Sequence, residues 1–208
     1  TGWQRIVVEN QISGRGRRGT AWESRPGDLL ASWKINREPS EISTPGMLQI
    51  GIGGAISESL NCDLKWPNDL ISARGEKIGG IMIEANSSNP GFRIGIGINS
   101  SPREVGGVSC QGWSGTMGMI SLETVFRIVD SRVSGILENL EMVPDIDQEI
   151  LEIISWKALS RSLSRGVQAE FGNEKIRIVG IDVNGFLLVE ADGYEIVVSD
   201  SHSVTWRY

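Results

Sequence analysis

Residues 92–99 have the sequence FRIGIGIN, which predicts a β-strand with two different faces. Successive side chains of a strand point to opposite sides of a sheet, so the phenylalanine and the three isoleucines share one face. Arg93, Gly95, Gly97 and Asn99 share the other face. The first face fits a hydrophobic core, and the two glycines leave a shallow slot over which a flat ligand could lie. Close packing of a helix against these glycines is the alternative interpretation.

The flanking sequence predicts an α/β arrangement around this strand. Apolar runs bounded by turn residues predict further strands, and longer segments with helical spacing predict helices. The predicted strands are Arg5–Glu9, which we expect to be buried, Leu29–Ile35 and Lys77–Glu84, with a turn at Asn86–Gly91 before the strand at Phe92–Ile98. The predicted helices are Pro45 to about Leu60, Leu122–Leu140 with Ser121 as N-cap, and from near Asp147 to about Leu159.

The last 48 residues, 161–208, have a different pattern that predicts a small β-barrel. Three turn signals at hairpin spacing, Gly172-Asn173, Asn184-Gly185 and Asp192-Gly193, separate four of five short strand candidates. A unit of this size has a small core of its own, so we expect it to pack on the larger α/β part. The strand candidates are Val167–Phe171, Ile176–Ile181, Phe186–Glu190, Tyr194–Val198 and Val204–Trp206.

Composition excludes several classes of chemistry. The 208 residues contain one histidine, His202, and two cysteines, Cys62 and Cys110, that lie 48 positions apart. This inventory provides no CxxC pair, no cysteine-rich zinc framework and no two-histidine metal site. It favours a reducing compartment, so we expect a cytoplasmic protein, and no apolar run approaches the length of a membrane span.

The charge is unevenly distributed along the chain. The formal net charge is −6, yet residues 1–40 have a local charge of +3 and the remaining residues sum to −9. A basic corner on an acidic protein indicates a small anionic ligand more than a nucleic acid, which usually requires an extended basic face.

The basic corner contains the segment Gly14-Arg15-Gly16-Arg17-Arg18-Gly19. Its glycines allow the backbone to approach a ligand closely, and its guanidinium groups suit carboxylate and phosphate oxygens. A solvated mobile loop and a basic turn that binds nucleic acid are the alternatives, although extended basic surface and interleaved aromatic residues are lacking.

Two of the chain's five lysines, Lys65 and Lys77, flank the turn sequence Trp66-Pro67-Asn68-Asp69. An ammonium, an amide and a carboxylate at the end of a strand could meet phosphate, ribose or Mg²⁺. An ordinary surface turn is the alternative. Lys77 is followed by Ile78-Gly79-Gly80, which again places a cation beside accessible backbone.

Together, these segments resemble the biotin protein ligase family, the biotin–[acetyl-CoA carboxylase] ligases. The resemblance covers nearly the whole chain, and four motifs occur in the family's order and spacing. The motifs are residues 11–22 (QISGRGRRGTAW), 65–69 (KWPND), 77–81 (KIGGI) and 95–99 (GIGIN).

The resemblance implies a mixed sheet with helices packed on one face, forming a class II synthetase-like catalytic domain at residues 1–160, and an SH3-like barrel at 161–208. It also implies a ligase that uses ATP and Mg²⁺. Biotin's carboxylate would attack the α-phosphate to give biotinyl-5′-AMP and pyrophosphate. A lysine of a biotin carboxyl carrier domain would then accept the biotin and release AMP. A homodimer is one assembly that the resemblance allows.

The family's functional residues map onto positions of this chain. Those with a catalytic role would be Arg17, Lys65, Asp69 and Lys77. Those that bind biotin would be Gln11, Gly14, Arg15, Gly16, Arg17, Lys77, Gly80, Gly95 and Gly97. Those that bind ATP or the adenylate would be Arg17, Arg18, Trp22, Lys65, Asn68, Asp69, Lys77, Asn99 and Trp113.

The chain departs from the family pattern in two places. The Ser-Thr-Asn stretch that family members carry ahead of the arginine loop is missing, since only 13 residues precede Gly14. We therefore expect a missing segment upstream of Thr1, impaired biotin affinity and, in this chain, no DNA-binding domain. Thr20-Ala21 replaces a further basic residue after the loop.

Rival functions remain at this point. A lipoate ligase would share the fold and the chemistry. A non-catalytic biotin-binding or carrier-docking relative would share the fold alone, but the retained Lys65, Asp69 and Lys77 disfavour it. A nucleic-acid binder is a third possibility.

Overall fold

The computed structural model describes residues 3–36, 44–85, 91–142, 144–172 and 174–208. Its strands are β1 (Trp3–Val7), β2 (Gly14–Arg15), β3 (Ala21–Trp22), β4 (Leu29–Ile35), β5 (Asp63–Lys65), β6 (Asp69–Ile71), β7 (Lys77–Ala85), β8 (Phe92–Ile98), β9 (Arg103–Val105), β10 (Val108–Cys110), β11 (Gln168–Phe171), β12 (Glu174–Ile181), β13 (Leu187–Ala191), β14 (Tyr194–Val198) and β15 (Val204–Arg207). Its helices are α1 (Pro45–Ser59), α2 (Ser114–Met117), α3 (Leu122–Met142) and α4 (Pro144–Ser164).

The large sheet is mixed and contains eight strands. The strand order is β1-β4-β8-β7-β10-β9, and the hairpin of β5 and β6 joins it through β7. Only the pairing of β10 with β7 is parallel among the described strands. The predicted combination of a mixed sheet with helices is confirmed.

The core lies on one face of this sheet. The register of β4 and β8 sets Trp33 opposite Ile94 and Ala31 opposite Ile96, all of them buried. Residues of α1 and α3 pack on this face in the same apolar cluster. Burial of each large apolar side chain contributes about 1.5–3 kcal/mol. The isoleucine face of FRIGIGIN is therefore held against the helices, and the glycine face is turned away from them.

Helix α1 is nearly apolar throughout because it is covered on more than one side. Thr44 caps its first turn by accepting a hydrogen bond from the Met47 amide at 3.3 Å, and Pro45 occupies its first position. A Cβ on Gly51 would lie 2.5 Å from Leu151 of α4, so the helix glycines, which weaken the helix prediction, permit close helix packing here.

The C-terminal sheet, residues 168–207, has the order β14-β13-β12-β11-β15, and each of the five predicted strands is present. Its core is continuous with the α/β part. The buried Trp66 ring nitrogen donates to the Gly185 carbonyl at 2.8 Å, and Thr44 donates to the Val183 carbonyl at 3.0 Å. The expected packing of this unit on the α/β part is confirmed. The domain division at residue 160 stays a prediction, since α4 runs through it.

Two elements differ from prediction. The first strand is not buried: β1 lies at the end of the strand order, and Ile6 is 63% exposed. Its apolar sequence resembles that of a central strand, but β1 pairs with β4 only. Helix α4 begins at Pro144, three residues before the predicted start. Residues 86–90 of the predicted turn at 86–91, and Asn173 of another, lie outside the described residues.

None of the helices in the described ranges combines the length and the apolar character needed to cross a membrane.

Candidate active site

A cavity of about 600 Å³ opens on the sheet face that is opposite the helices. Its wall is formed by the loop at residues 11–22, the turn at 65–69, strands of the large sheet, and residues 201–204 of the C-terminal sheet. The predicted site residues that line it are Gln11, Arg15, Gly16, Arg17, Arg18, Trp22, Lys65, Asn68, Asp69, Lys77, Gly80, Gly95 and Gly97.

The floor of the cavity includes three glycines in adjacent strands. The pairing of β7 with β8 sets Gly80 opposite Gly97 and Met82 opposite Gly95. Among the described residues, a Cβ added to Gly95 would meet only the Met82 carbonyl oxygen, at 3.8 Å, so the slot is open there.

Trp22 covers the other end of the floor. A Cβ on Gly97 would lie 2.7 Å from the indole ring, which rests directly on the glycine. The buried ring nitrogen of Trp22 has no hydrogen-bond partner within the described part of the chain. The indole therefore narrows the predicted slot at this end.

Lys77 and Asp69 form an ion pair at the edge of this floor. Because β6 pairs with β7, Asp69 stands opposite Gly80, and its Oδ1 lies 2.7 Å from Lys77 Nζ. The same ammonium lies 5.6 Å from the centroid of the Trp22 ring, within the range of a cation–π interaction. Their side chains are 37% and 23% exposed, so the held ammonium remains open to a ligand in the cavity.

The arginine loop is an ordered turn. Strand β2 pairs with β3, and residues 17–19 between them form one turn of 3₁₀-helix. The Gly16 amide donates to the Thr20 carbonyl at 2.7 Å, and the Thr20 hydroxyl donates to the Arg17 carbonyl at 2.9 Å. These bonds oppose the alternative of an unstructured solvated loop.

Arg17 extends from this turn to the neighbouring hairpin. Its guanidinium donates to the Asn68 side-chain oxygen at 3.3 Å. Burial, and next the adjacent Arg18 charge, lower the pKa of Arg17 from its ordinary value. The turn thus places a partly desolvated cation beside the cavity, where it would interact more strongly with an anion than in water.

Arg18 faces a residue that the sequence did not single out. Its guanidinium donates to Asp200 Oδ1 at 2.9 Å, rather than pointing at a free phosphate position. Ser201, His202 and Val204, which follow Asp200 in sequence, line this side of the cavity. The one histidine of the chain, next to an aspartate that can cap a turn, was the available sequence signal.

The sequence analysis gave no ligand role to the other lining residues, although seven of them lie within the four motifs. They are Ser13, Thr20, Ala21, Ala31, Ser32, Trp66, Pro67, Ile81, Met82, Glu84, Arg93 and Ile96.

Three predicted site residues do not reach the cavity wall. The buried Asn99 amide donates to the carbonyls of Lys77 at 3.2 Å and Gln111 at 3.0 Å, so it ties β7 to the following loops. Trp113 is buried in the core of the large sheet. Gly14 lies against Trp22 and Gln11, where a Cβ would meet their oxygens at 2.5 and 2.7 Å. Ligand contact by these residues stays a prediction.

The described residues contain no cluster of three or more His, Cys, Asp or Glu side chains that could hold a metal ion. Asp69 is already paired with Lys77. These residues do not form a Mg²⁺ site of their own, because Mg²⁺ needs several oxygen ligands.

Comparison with known proteins identifies the group to which this fold and site are similar. The model of the biotin/lipoate A/B protein ligase family matches residues 4–101, which include the arginine loop, Lys65, Lys77 and the glycine floor. The bifunctional ligase/repressor BirA of Salmonella typhimurium is 32% identical over 206 residues, 90% of this chain and 62% of that protein. This chain is therefore similar to the family over that range.

Two further members of the biotin/lipoate ligase family are similar along almost the whole chain. The biotin protein ligase from Aquifex aeolicus, solved in complex with biotin and ATP, superposes with a TM-score of 0.74 at 26% identity, covering 98% of this chain and 88% of that one. The biotin–[acetyl-CoA-carboxylase] ligase of Mycobacterium tuberculosis is 25% identical, covering 97% and 79%. The chain spans 62% of the length of the Salmonella protein.

Proposed function

We propose that this protein activates biotin with ATP as biotinyl-5′-AMP and transfers it to a lysine of a biotin carboxyl carrier domain. The observation that carries the proposal is the position of Lys77. Its ammonium lies between the glycine floor, the Trp22 ring and the carboxylate of Asp69, in a cavity that Arg17 and Lys65 also line.

The first reaction brings two anions together. Biotin's carboxylate attacks the α-phosphate of ATP, a new C–O–P linkage forms, and the bond to pyrophosphate breaks. Fixed positive groups that are oriented before the reaction lower the barrier because they stabilise the charge on the five-coordinate phosphorus centre. Lys77 and Arg17 supply such groups, and holding both substrates in one cavity removes much of the entropic cost.

The shape of the cavity suggests where each substrate lies. In this proposal the planar ureido ring of biotin lies over Gly80 and Gly95, beside Gln11, Arg15 and Gly16 of the loop. The carboxylate then points at Lys77. This arrangement leaves Lys65, Asn68 and Asp69 for the ribose and phosphates of the nucleotide.

The second reaction consumes the mixed anhydride. The amine of the acceptor lysine attacks the activated carbonyl carbon, and AMP leaves with the electrons of the C–O bond. The anhydride is sensitive to water, so the loop and the C-terminal turn that wall the cavity would protect it. Mg²⁺ fits this proposal as a companion of the ATP phosphates, and the chain's own residues carry every step described above.

The test is biotin-dependent release of pyrophosphate from ATP, followed by transfer of labelled biotin to the carrier domain of an acetyl-CoA carboxylase. We expect both reactions, with biotin preferred over lipoate when the two compete in the first step. A preference for lipoate would reassign the substrate within the same family. Binding of biotin with no pyrophosphate release, in a chain shown to be folded, would refute the enzymatic proposal.

A further inference from the structure

The contact between Arg18 and Asp200 joins the cavity loop to the C-terminal sheet across 182 positions of sequence. We propose that Asp200 is a positioning residue, which through Arg18 holds the loop at residues 14–22 over the cavity while the activated intermediate is inside. The role toward the intermediate rests on the function proposed above. The anchoring of the loop by Asp200 does not depend on that function.

The loop needs an anchor because its backbone is strained at Arg18. This residue has φ 54° and ψ 29°, the left-handed region that residues with a side chain rarely adopt. Such a conformation persists only when the surroundings hold it. The backbone bonds of the turn are local, and Arg17 reaches Asn68, whereas within the described residues the Asp200 contact is the one that ties Arg18 itself to another part of the fold.

Asp200 is well suited as the fixed end of this contact. Its Oδ1 also accepts a hydrogen bond from the His202 amide at 3.0 Å, and its carbonyl accepts bonds from the Ser203 amide at 3.1 Å and from the Ser203 hydroxyl at 2.6 Å. The sheet that carries this turn is docked on the α/β part by the buried bond from Trp66 to Gly185. The loop is therefore tied to a rigid element.

The strength of the contact suits a loop that must open for each turnover. The Arg18 and Asp200 side chains are 51% and 54% exposed. Exposed ion pairs shift an equilibrium by only about two- to fivefold, since water screens the charges. Substrate entry and product release therefore remain easy, while the closed loop is favoured when the cavity is filled.

The decisive variant is Asp200→Asn. An asparagine oxygen can still accept the His202 amide and cap the turn, so the fold of the turn is kept while the charge is removed. Glu190→Gln is the matched control because it breaks an exposed ion pair with Arg177 on the same sheet, outside the cavity wall. Asp200→Glu restores the charge and serves as the rescue variant.

The first measurement needs no ligand and no activity. Native protein is digested briefly with trypsin, and mass spectrometry follows cleavage after Arg17. We expect cleavage about two- to fivefold faster in Asp200→Asn than in the wild type, Glu190→Gln or Asp200→Glu. In an Arg18→Gln background, Asp200→Asn should add nothing, because the contact is already lost. Equal cleavage in Asp200→Asn and the control would overturn the proposal.

The second measurement follows the fate of the intermediate in the presence of biotin, ATP and a carrier domain. We expect Asp200→Asn to release several AMP molecules for each biotin transferred, at a near-normal rate of pyrophosphate release, because the anhydride escapes to water. An unchanged ratio of AMP to transferred biotin would overturn the positioning role. If the wild type releases no pyrophosphate, the proposed function fails instead, and the trypsin result still decides whether Asp200 anchors the loop.

Discussion

Two ion pairs beside the same sheet, Asp28–Arg103 and Asp69–Lys77, differ in almost every respect except charge. The Asp28 and Arg103 side chains are 0% and 1% exposed. The Asp28 carboxylate also accepts bonds from the Arg25 amide at 2.8 Å and from the amide and hydroxyl of Ser100 at 2.9 and 3.1 Å. The Asp28 carboxylate is thus held by several groups of the chain, while the buried Arg103 Nε has no hydrogen-bond partner among the described residues.

The Asp69–Lys77 pair is partly exposed and joined by a single contact at 2.7 Å. Its ammonium retains hydrogen atoms, and its carboxylate retains lone pairs, that face the cavity. The difference teaches that an ion pair supports folding when it is buried and its carboxylate is held by other groups of the chain, and can support chemistry when it stays accessible to a ligand.

The largest effect is expected from a substitution that breaks the buried pair. Arg103→Met removes the partner and leaves an uncompensated carboxylate in the interior, which should cost about 3–5 kcal/mol of unfolding free energy. Urea denaturation measures it. Arg177→Met removes an arginine from an exposed pair and should change stability by less than about 1 kcal/mol. Similar losses in both variants would contradict the distinction between the two kinds of pair.

The second prediction concerns the exposed pair. Lys77→Ala should lower the rate of biotin-dependent pyrophosphate release about 10²- to 10³-fold, the effect of removing one preorganised charge-stabilising group. The unfolding free energy should change by about 1 kcal/mol or less, because the pair is partly solvated. Lys157→Ala, which breaks an exposed contact with Glu58 elsewhere, serves as the control. Near-normal turnover in Lys77→Ala would refute its role.

A third, smaller effect tests whether the glycine floor of the cavity serves ligand binding rather than packing. Gly95→Val places a side chain in the open part of the slot, where the Met82 carbonyl is the one close neighbour within the described part of the chain. A clash of this kind costs a ligand about 1–3 kcal/mol, so the KM for biotin should rise about tenfold. Stability should be unchanged or higher, since valine favours strands. A large loss of stability at unchanged KM would mean that Gly95 serves packing rather than ligand binding.

The smallest expected effect is on how the unfolding free energy depends on pH. The contribution of Asp28 to this dependence should have opposite signs in the wild type and in Arg103→Met. Burial alone would raise the pKa of Asp28, but hydrogen bonds from Arg103 and from the Ser100 and Arg25 amides hold it below 3.8. Asp28 therefore stabilises the wild type above about pH 4, and this contribution is lost as the pH falls through the folded-state pKa.

In Arg103→Met, burial should dominate and raise the pKa of Asp28 above its unfolded value. Protonation then favours the folded variant, so the stability gap to the wild type should narrow as the pH falls from 7 to 4. Urea denaturation across this range measures the gap. A gap that stays constant or widens would show that Asp28 remains compensated without Arg103.

The sequence predicted elements where local periodicity reports the environment. The bounds of β4, β8 and β14 are those expected, because strand alternation and turn residues are local signals. The same logic was wrong for β1, since an apolar strand at the edge of a sheet has the composition of a central one.

The site was predictable as a set of residue types and not as a set of contacts. Motifs indicated that the arginine loop, Lys65, Lys77 and the glycine strands belong to one cavity. The Asp28–Arg103 pair spans 75 positions, and the position of Trp22 on Gly97 depends on how the loop folds back over the sheet. Such long-range contacts depend on register and on the packing of one unit against another, which local patterns do not encode.

The turn at residues 65–69 has a consequence for how the protein can be altered. Lys65, Asn68 and Asp69 face the cavity, but Trp66 in the same turn donates its buried bond to Gly185 of the C-terminal sheet. Exchanging that sheet for one from a relative would therefore also disturb the turn that carries these cavity residues, unless the replacement offers a carbonyl at the same place. The two parts therefore cannot be exchanged as independent modules without also replacing the contacts of Trp66 and Thr44 with the C-terminal sheet.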